Sequence, residues 1–147
     1  MQRLDTQQDL AVAVDRLVSV EPRFAPLVWR HGLPSLRHAP ANLQTLLRIV
    51  TDQLVSLRAG EAIWARLAAR LGGFAPQEIL ALTEEELRSL GLSRAKARTF
   101  HAAARRFADD AVTESSCNEE ETVRRLTGIP GVGPWTANIY LLMAVRS

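Results

Sequence analysis

The chain has 147 residues, 47% of them apolar and 23% charged, with a formal net charge of +2. That length holds one hydrophobic core, so one domain of at most two lobes is expected, and the apolar content excludes a disordered chain. No apolar run reaches the length of a membrane span, residues 1–5 show no apolar secretory stretch, and the single cysteine, Cys117, excludes an intrachain disulfide or a four-cysteine cluster; the expected setting is cytoplasmic, with no membrane partner.

No segment alternates with period 2, whereas helical spacing and helix punctuation recur throughout, so the fold class is all-α. Residues 1–41 read as an N-terminal helical segment. Asp5 or Thr6 caps a helix carrying Leu10, Val14, Leu17 and Val18. Pro22 opens a short helix that ends at Gly32, and a loop runs from Pro34 to Pro40. Residues 42–147 read as the main domain. Asn42 caps an apolar helix with Leu43, Leu46, Leu47, Ile49, Val50 and Leu54. Ser56 starts the next helix, which stops at Gly72-Gly73, and Pro76 opens a short turn of helix. Thr83-Glu84-Glu85-Glu86 is a capping box, and Gly91 ends the element it starts.

Ser93 caps a helix to about Ala108, with Arg94, Arg98, His101 and Arg105 on one stripe and Phe100, Ala104 and Phe107 opposite. A polar loop follows over 109–116. Ser116 with Glu119 forms a further capping box, opening a helix through Val123 and Leu126. The last helix begins at Pro134 and is apolar nearly all round, with Trp135, Ile139, Tyr140, Leu141, Leu142, Met143 and Val145, so burial on most sides is expected. The segment Leu87 to Ala97 reads as a looser helix–glycine–helix hairpin of the same kind as the one between the last two helices.

That last hairpin, Leu126-Thr127-Gly128-Ile129-Pro130-Gly131-Val132-Gly133-Pro134-Trp135-Thr136-Ala137, carries the strongest chemical signal. Gly131 and Gly133 lack a Cβ, which permits positive φ and close approach of an anion to the main chain. Val132 plugs between the two helices, and Pro134 suits the first helical turn, where its missing N–H costs little. Amides exposed at a helix N-terminus form an anion site, and a nucleic-acid phosphate is the implied anion. Taken alone, Pro-Gly-Val-Gly equally fits a tight αα-hairpin that binds nothing. The cations do not decide: of 18 basic residues only Lys96 is lysine, and the arginine excess suits bidentate phosphate contacts as well as a GC-rich coding bias.

The longer hairpin string resembles the helix-hairpin-helix of the base-excision DNA glycosylases, most nearly the 3-methyladenine DNA glycosylase II branch. Two further segments are similar to that branch, in order: Ile49-Val50-Thr51-Asp52-Gln53-Leu54-Val55-Ser56 with Ala59 and Glu61-Ala62-Ile63-Trp64, and Gly91-Leu92-Ser93-Arg94-Ala95-Lys96-Ala97. Together they cover residues of roughly 42–146. The resemblance implies a helix-hairpin-helix glycosylase-like domain whose partner is double-stranded DNA containing alkylated bases, with the protein acting as a monomer. It places Gly131, Val132, Gly133 and Thr136 at the DNA phosphate and Trp135, Gln53 and Tyr140 at the base pocket. It implies no cofactor beyond a structural monovalent cation on the carbonyls of Thr127, Ile129 and Gly131. The implied activity is hydrolysis of the N-glycosidic bond of alkylated purines such as 3-methyladenine. The bifunctional relatives carry a lysine where this chain has Trp135, so the implied branch is monofunctional.

The family's catalytic aspartate falls about twenty residues beyond the Trp135 position, in the role a carboxylate plays in glycoside hydrolysis. This chain has 12 residues after Trp135, so that position lies beyond Ser147 and no catalytic residue is assigned within the chain. The expectation is therefore a chain incomplete at its C-terminus and inactive by itself, or else a non-catalytic helix-hairpin-helix DNA-binding module; a helical protein–protein interaction domain is the third reading. Asp52 departs from the Gly or Gln common at its position and, as a carboxylate, is expected to repel phosphate. Asp109-Asp110 and Glu119-Glu120-Glu121 read as solvated charges. The Arg94–Arg98–His101–Arg105 stripe reads as a solvated face, with DNA contact as the alternative. His31, His38 and His101 form no metal set, and Cys117, beside Ser115 and Ser116, has no positive neighbour to make it a nucleophile.

Overall fold

A computed structural model describes residues 4–36, 38–109 and 118–145. The described residues contain helices and no strand: α1 (Gln7–Val20), a 3₁₀ turn (Pro22–Phe24), α2 (Ala25–His31), α3 (Leu43–Asp52), α4 (Leu57–Leu71), α5 (Pro76–Leu80), α6 (Glu84–Ser89), α7 (Arg94–Asp109), α8 (Glu119–Thr127) and α9 (Pro134–Tyr140), which runs into a π turn (Leu141–Val145). No helix among them is long and apolar enough to cross a membrane. The readings at Asp110, Ser115, Ser116 and Cys117 lie outside the described residues. So does Ser147, the residue beyond which the catalytic aspartate is expected, and that expectation is neither met nor contradicted by the fold.

Local chemistry sets most helix starts. Thr6 with Asp9 and Thr83 with Glu86 form reciprocal capping boxes. Asn42 accepts from the Thr45 N–H at 3.0 Å, and Ser56 from the Ala59 N–H at 3.2 Å. For α8 the N-cap is Asn118, whose side chain accepts from the Glu121 N–H at 2.8 Å; Ser116 of the expected Ser116–Glu119 box lies outside the described residues. Asn118 lies immediately before the first helical residue, so its oxygen reaches the free amide at the third position.

The core gathers α3 to α9. Helix α3 lies against α4, α7 and α9, and α7 also packs on α5 and α6. Leu46, Leu47, Leu67, Ile79, Leu87, Phe100, Leu126 and Tyr140 are fully enclosed. The expected inner face of α7 holds: Phe100 and Ala104 are buried and Phe107 packs at the edge of the cluster. In the N-terminal segment Val14 is the buried residue, while Leu17, Val20, Leu27 and Trp29 are exposed. The Gln7 side chain ties α1 to the following loop through the Pro34 carbonyl and the Leu36 N–H.

Two expectations fail. The helix from Pro134 is not enclosed all round: Trp135 and Leu142 are exposed, and the buried residues Thr136, Ala137, Tyr140 and Leu141 face α3 and α8 as one amphipathic stripe. Helix α3 also ends earlier than its apolar pattern suggests, at Asp52, leaving Leu54 outside it.

Gly131 adopts φ +89°, and a Cβ built there would overlap the Thr99 hydroxyl oxygen on α7. Gly131→Ala is therefore expected to destabilise the fold by at least about 1–3 kcal/mol from backbone strain alone. Truncating the core at Leu46→Ala is expected to cost about 2–5 kcal/mol. Urea unfolding midpoints at constant slope measure both.

Candidate nucleic-acid interface

The site forms where two chain reversals meet. The first joins α3 to α4 through Gln53-Leu54-Val55-Ser56. The chain reverses here within a few residues and without a glycine, and Leu54 takes the left-handed region at φ +55°. It is the one non-glycine residue with positive φ among the described residues, and its side chain is fully exposed. A strained backbone presenting an uncovered leucine makes Leu54 a candidate functional position.

The second reversal is the hairpin between α8 and α9. Ile129 is buried beneath it, and its carbonyl accepts the Val132 N–H at 3.0 Å. Val132 fills the gap between the two helices, as expected for its side chain, and is buried. Its N–H is consumed by the turn, however, so of the three expected phosphate-binding amides Val132 drops out. Gly133 is the N-cap of α9 with no side-chain cap, and a Cβ built on it would meet no atom within 4 Å. Open space therefore faces an uncapped helix N-terminus, whose partial positive charge favours an anion.

The two reversals share a pocket of about 540 Å³ lined by Asp52, Gln53, Leu54, Gly131, Gly133, Trp135 and Thr136. Trp135 is 63% exposed and presents its indole there instead of packing in the core. Thr136 is buried, and its hydroxyl accepts the Gln53 side-chain amide at 2.6 Å. That bond locks the α3–α4 loop to α9. The bond uses a lone pair of the Thr136 hydroxyl and leaves its O–H proton unspent. Tyr140, expected in the pocket, is elsewhere: it is wholly buried, its hydroxyl donates to the Asn42 carbonyl at 3.3 Å, and burial holds its pKa well above the usual phenol range. Its position one turn along α9 from Thr136 keeps it on the inner stripe.

Asp52 lines the pocket, but Arg48 pairs with its carboxylate at 2.8 Å. The same guanidinium reaches Glu61 at 2.6 Å and lies 5.3 Å from the Trp64 ring centre, and Trp64 stacks on Phe74. The carboxylate expected to repel phosphate is thus neutralised within its own helix. Lys96 sits under the first reversal, its ammonium donating to the Thr51 carbonyl at 2.9 Å and the Gln53 carbonyl at 2.6 Å. Burial lowers its pKa, and the nearby Asp52 charge opposes that shift.

The α7 stripe is mostly a solvated face, with Arg94, Arg98 and Arg105 exposed and His101 half-buried. His101 hydrogen-bonds the Leu82 carbonyl at 2.8 Å and Arg98 pairs with Glu84 at 3.5 Å, so both are engaged with the segments around α5 and α6. Leu54 was legible only as one more apolar position of α3, because Leu43, Leu46, Leu47, Val50 and Leu54 continue a helical spacing. The available signal was the N-cap serine two residues later, which leaves no room for α3 to continue.

A family model described as HhH-GPD superfamily base excision DNA repair protein matches residues 47–139. Alkylbase DNA glycosidase-like protein mag2 of Schizosaccharomyces pombe is 24% identical over 154 residues, covering 97% of this chain and 71% of the yeast protein. The probable bifunctional transcriptional activator/DNA repair enzyme AlkA of Mycobacterium tuberculosis is 32% identical over 150 residues, covering 95% of this chain and 30% of that protein. The crystal structure of a DNA-3-methyladenine glycosidase from Bacillus halodurans superposes with a TM-score of 0.71 at 21% identity, covering 97% of this chain and 66% of the other, a likeness of fold. The match spans the α3 C-terminus, the Lys96 segment and the glycine hairpin, the parts from which the pocket and its supports are built: the chain belongs to the HhH-GPD superfamily of base excision DNA repair proteins.

Proposed function

We propose that residues 42–147 form the DNA-gripping and base-receiving part of a monofunctional DNA glycosylase acting on alkylated purines such as 3-methyladenine. The observation that carries this reading is the exposed Trp135 indole sharing one pocket with the uncapped N-terminus of α9 and the strained Leu54. The main-chain N–H groups of Gly133, Trp135 and Thr136 hold a backbone phosphate. This contact is independent of sequence, and its strength falls with salt.

Extruding a base costs a few kcal/mol, least for a damaged or mispaired one. Leu54 fills the gap left in the stack, as apolar wedges do when they enter base steps. The extruded purine reaches Trp135. Alkylation at a ring nitrogen makes the purine cationic, and an electron-rich indole face attracts a cation. Hydrolysis breaks the C1′–N bond, the bond electrons leave with the base, and water supplies the new C1′ oxygen. The carbonyls of Thr127, Ile129 and Gly131 fit a monovalent cation as neutral oxygen donors, Ile129 keeping one lone pair beyond its bond to Val132; such an ion would add positive charge beside the phosphate. A non-catalytic DNA-binding module is the second reading. It is favoured by Asp52, the carboxylate lining the pocket, being held by Arg48.

Gly133→Ser tests the phosphate contact. Serine is a good N-cap and its Cβ has room, so stability stays level or rises by roughly a few tenths of a kcal/mol. Its hydroxyl occupies the amides that would hold phosphate. Duplex affinity is therefore expected to fall equally on unrelated sequences, with a shallower salt slope, in fluorescence anisotropy titrations; unchanged binding refutes the contact. For the monofunctional branch, borohydride treatment on DNA carrying an abasic site is expected to yield no covalent adduct on a denaturing gel. Trp135 stands at the imine-forming position, and Lys96 is tied to two carbonyls.

A further inference from the structure

We propose that Lys96 is a positioning residue whose ammonium, clamped on the carbonyls of Thr51 and Gln53, holds Leu54 in its left-handed conformation and so keeps the leucine standing over the pocket. The proposal rests on the reading of Leu54 as the wedge that enters the base stack.

Three observations carry it. The Thr51 and Gln53 carbonyls belong to the last turn and C-cap of α3, where carbonyls lack intrahelical partners, and Gln53 is the residue before Leu54. A cation there both satisfies them and interacts favourably with the helix C-terminus. Leu54, by contrast, is fully exposed and has no packing of its own to keep it at φ +55°. A strained conformation persists only where its surroundings over-determine it, and the lysine clamp, with the Gln53–Thr136 bond, is what surrounds it.

The second observation is residue choice. Seventeen of the 18 basic residues are arginine, and the one lysine is at this half-buried position. A compact ammonium with three rotatable donors can bond two carbonyls that flank one turn, whereas a planar guanidinium presents its donors in a fixed fork. The third is placement. Lys96 and Thr99 are three residues apart on α7 and so share a face. Thr99 packs under Gly131 of the hairpin, while Lys96 holds the α3–α4 reversal. One turn of one helix therefore sets the spacing between the leucine and the phosphate-facing amides.

The test compares binding to an intact duplex with binding to the same duplex carrying a tetrahydrofuran abasic site, with 2-aminopurine beside the site to report unstacking. The wild-type chain is expected to prefer the abasic duplex and to brighten the probe. Leu54→Ala is expected to lose both. Lys96→Gln and Lys96→Met are expected to lose the preference by at least about fivefold, the lower end of what releasing one strained backbone conformation allows. Adding either to Leu54→Ala costs nothing more. If Leu54→Ala loses the preference and folded Lys96 variants retain it, the clamp is refuted while the wedge stands. A wild-type chain without the preference refutes the wedge itself, and the clamp's role with it.

A measurement on the unaltered chain decides if the variants do not fold. With one lysine present, ¹⁵N labelling gives a single side-chain ammonium signal. The clamp predicts a signal protected from solvent exchange that shifts with abasic duplex more than with intact duplex. A rapidly exchanging signal that does not move overturns the proposal.

Discussion

The hairpin can lie on α7 because residue 131 has no Cβ. Any side chain there would collide with the Thr99 hydroxyl, and the backbone at φ +89° disfavours one in any case. This close approach brings the start of α9 onto the same helix that supports the end of α3. The short Gln53–Thr136 hydrogen bond and the shared pocket follow from it. A hairpin held further out would still be two helices and a turn, but its amides would face no leucine and its indole would line no cleft.

Polarity is distributed around this contact in a consistent way. The acidic neighbour, Asp52, is neutralised by Arg48, itself shared with Glu61 and lying near the Trp64 ring. The α3 C-terminus, which would otherwise present negative partial charge beside the pocket, is covered by the Lys96 ammonium. What remains facing outward is the positive end of α9, an indole and a leucine. Sequence-independent grip, a stacking surface and a wedge are the elements a protein needs to draw one nucleotide out of a duplex.

Helices and their caps were legible in the sequence because their causes are local: Asn42, Ser56 and Thr83 cap by side chains three residues from the amides they satisfy. The glycine turn was legible too, and so was the reason for its two glycines, although the two differ. Gly131 is demanded by the fold, whereas Gly133 faces open space. What stayed hidden depends on tertiary placement. Tyr140 and Trp135 lie five residues apart on an apolar segment, and only packing against α3 and α8 decides that one is enclosed and the other open. The loss of the Val132 amide to the Ile129 carbonyl depends on turn geometry that spacing does not specify. Leu54 was hidden by a helical repeat that continues two residues past the helix.

Amide chemical-shift mapping during titration with duplex DNA tests the central claim most directly. The Gly133, Trp135 and Thr136 amides, with Leu54, are predicted to move earliest and furthest, while the Val132 amide moves little because the turn already holds it. Shifts confined to the exposed face of α7 or to α1 and α2, with the start of α9 unmoved, would contradict it.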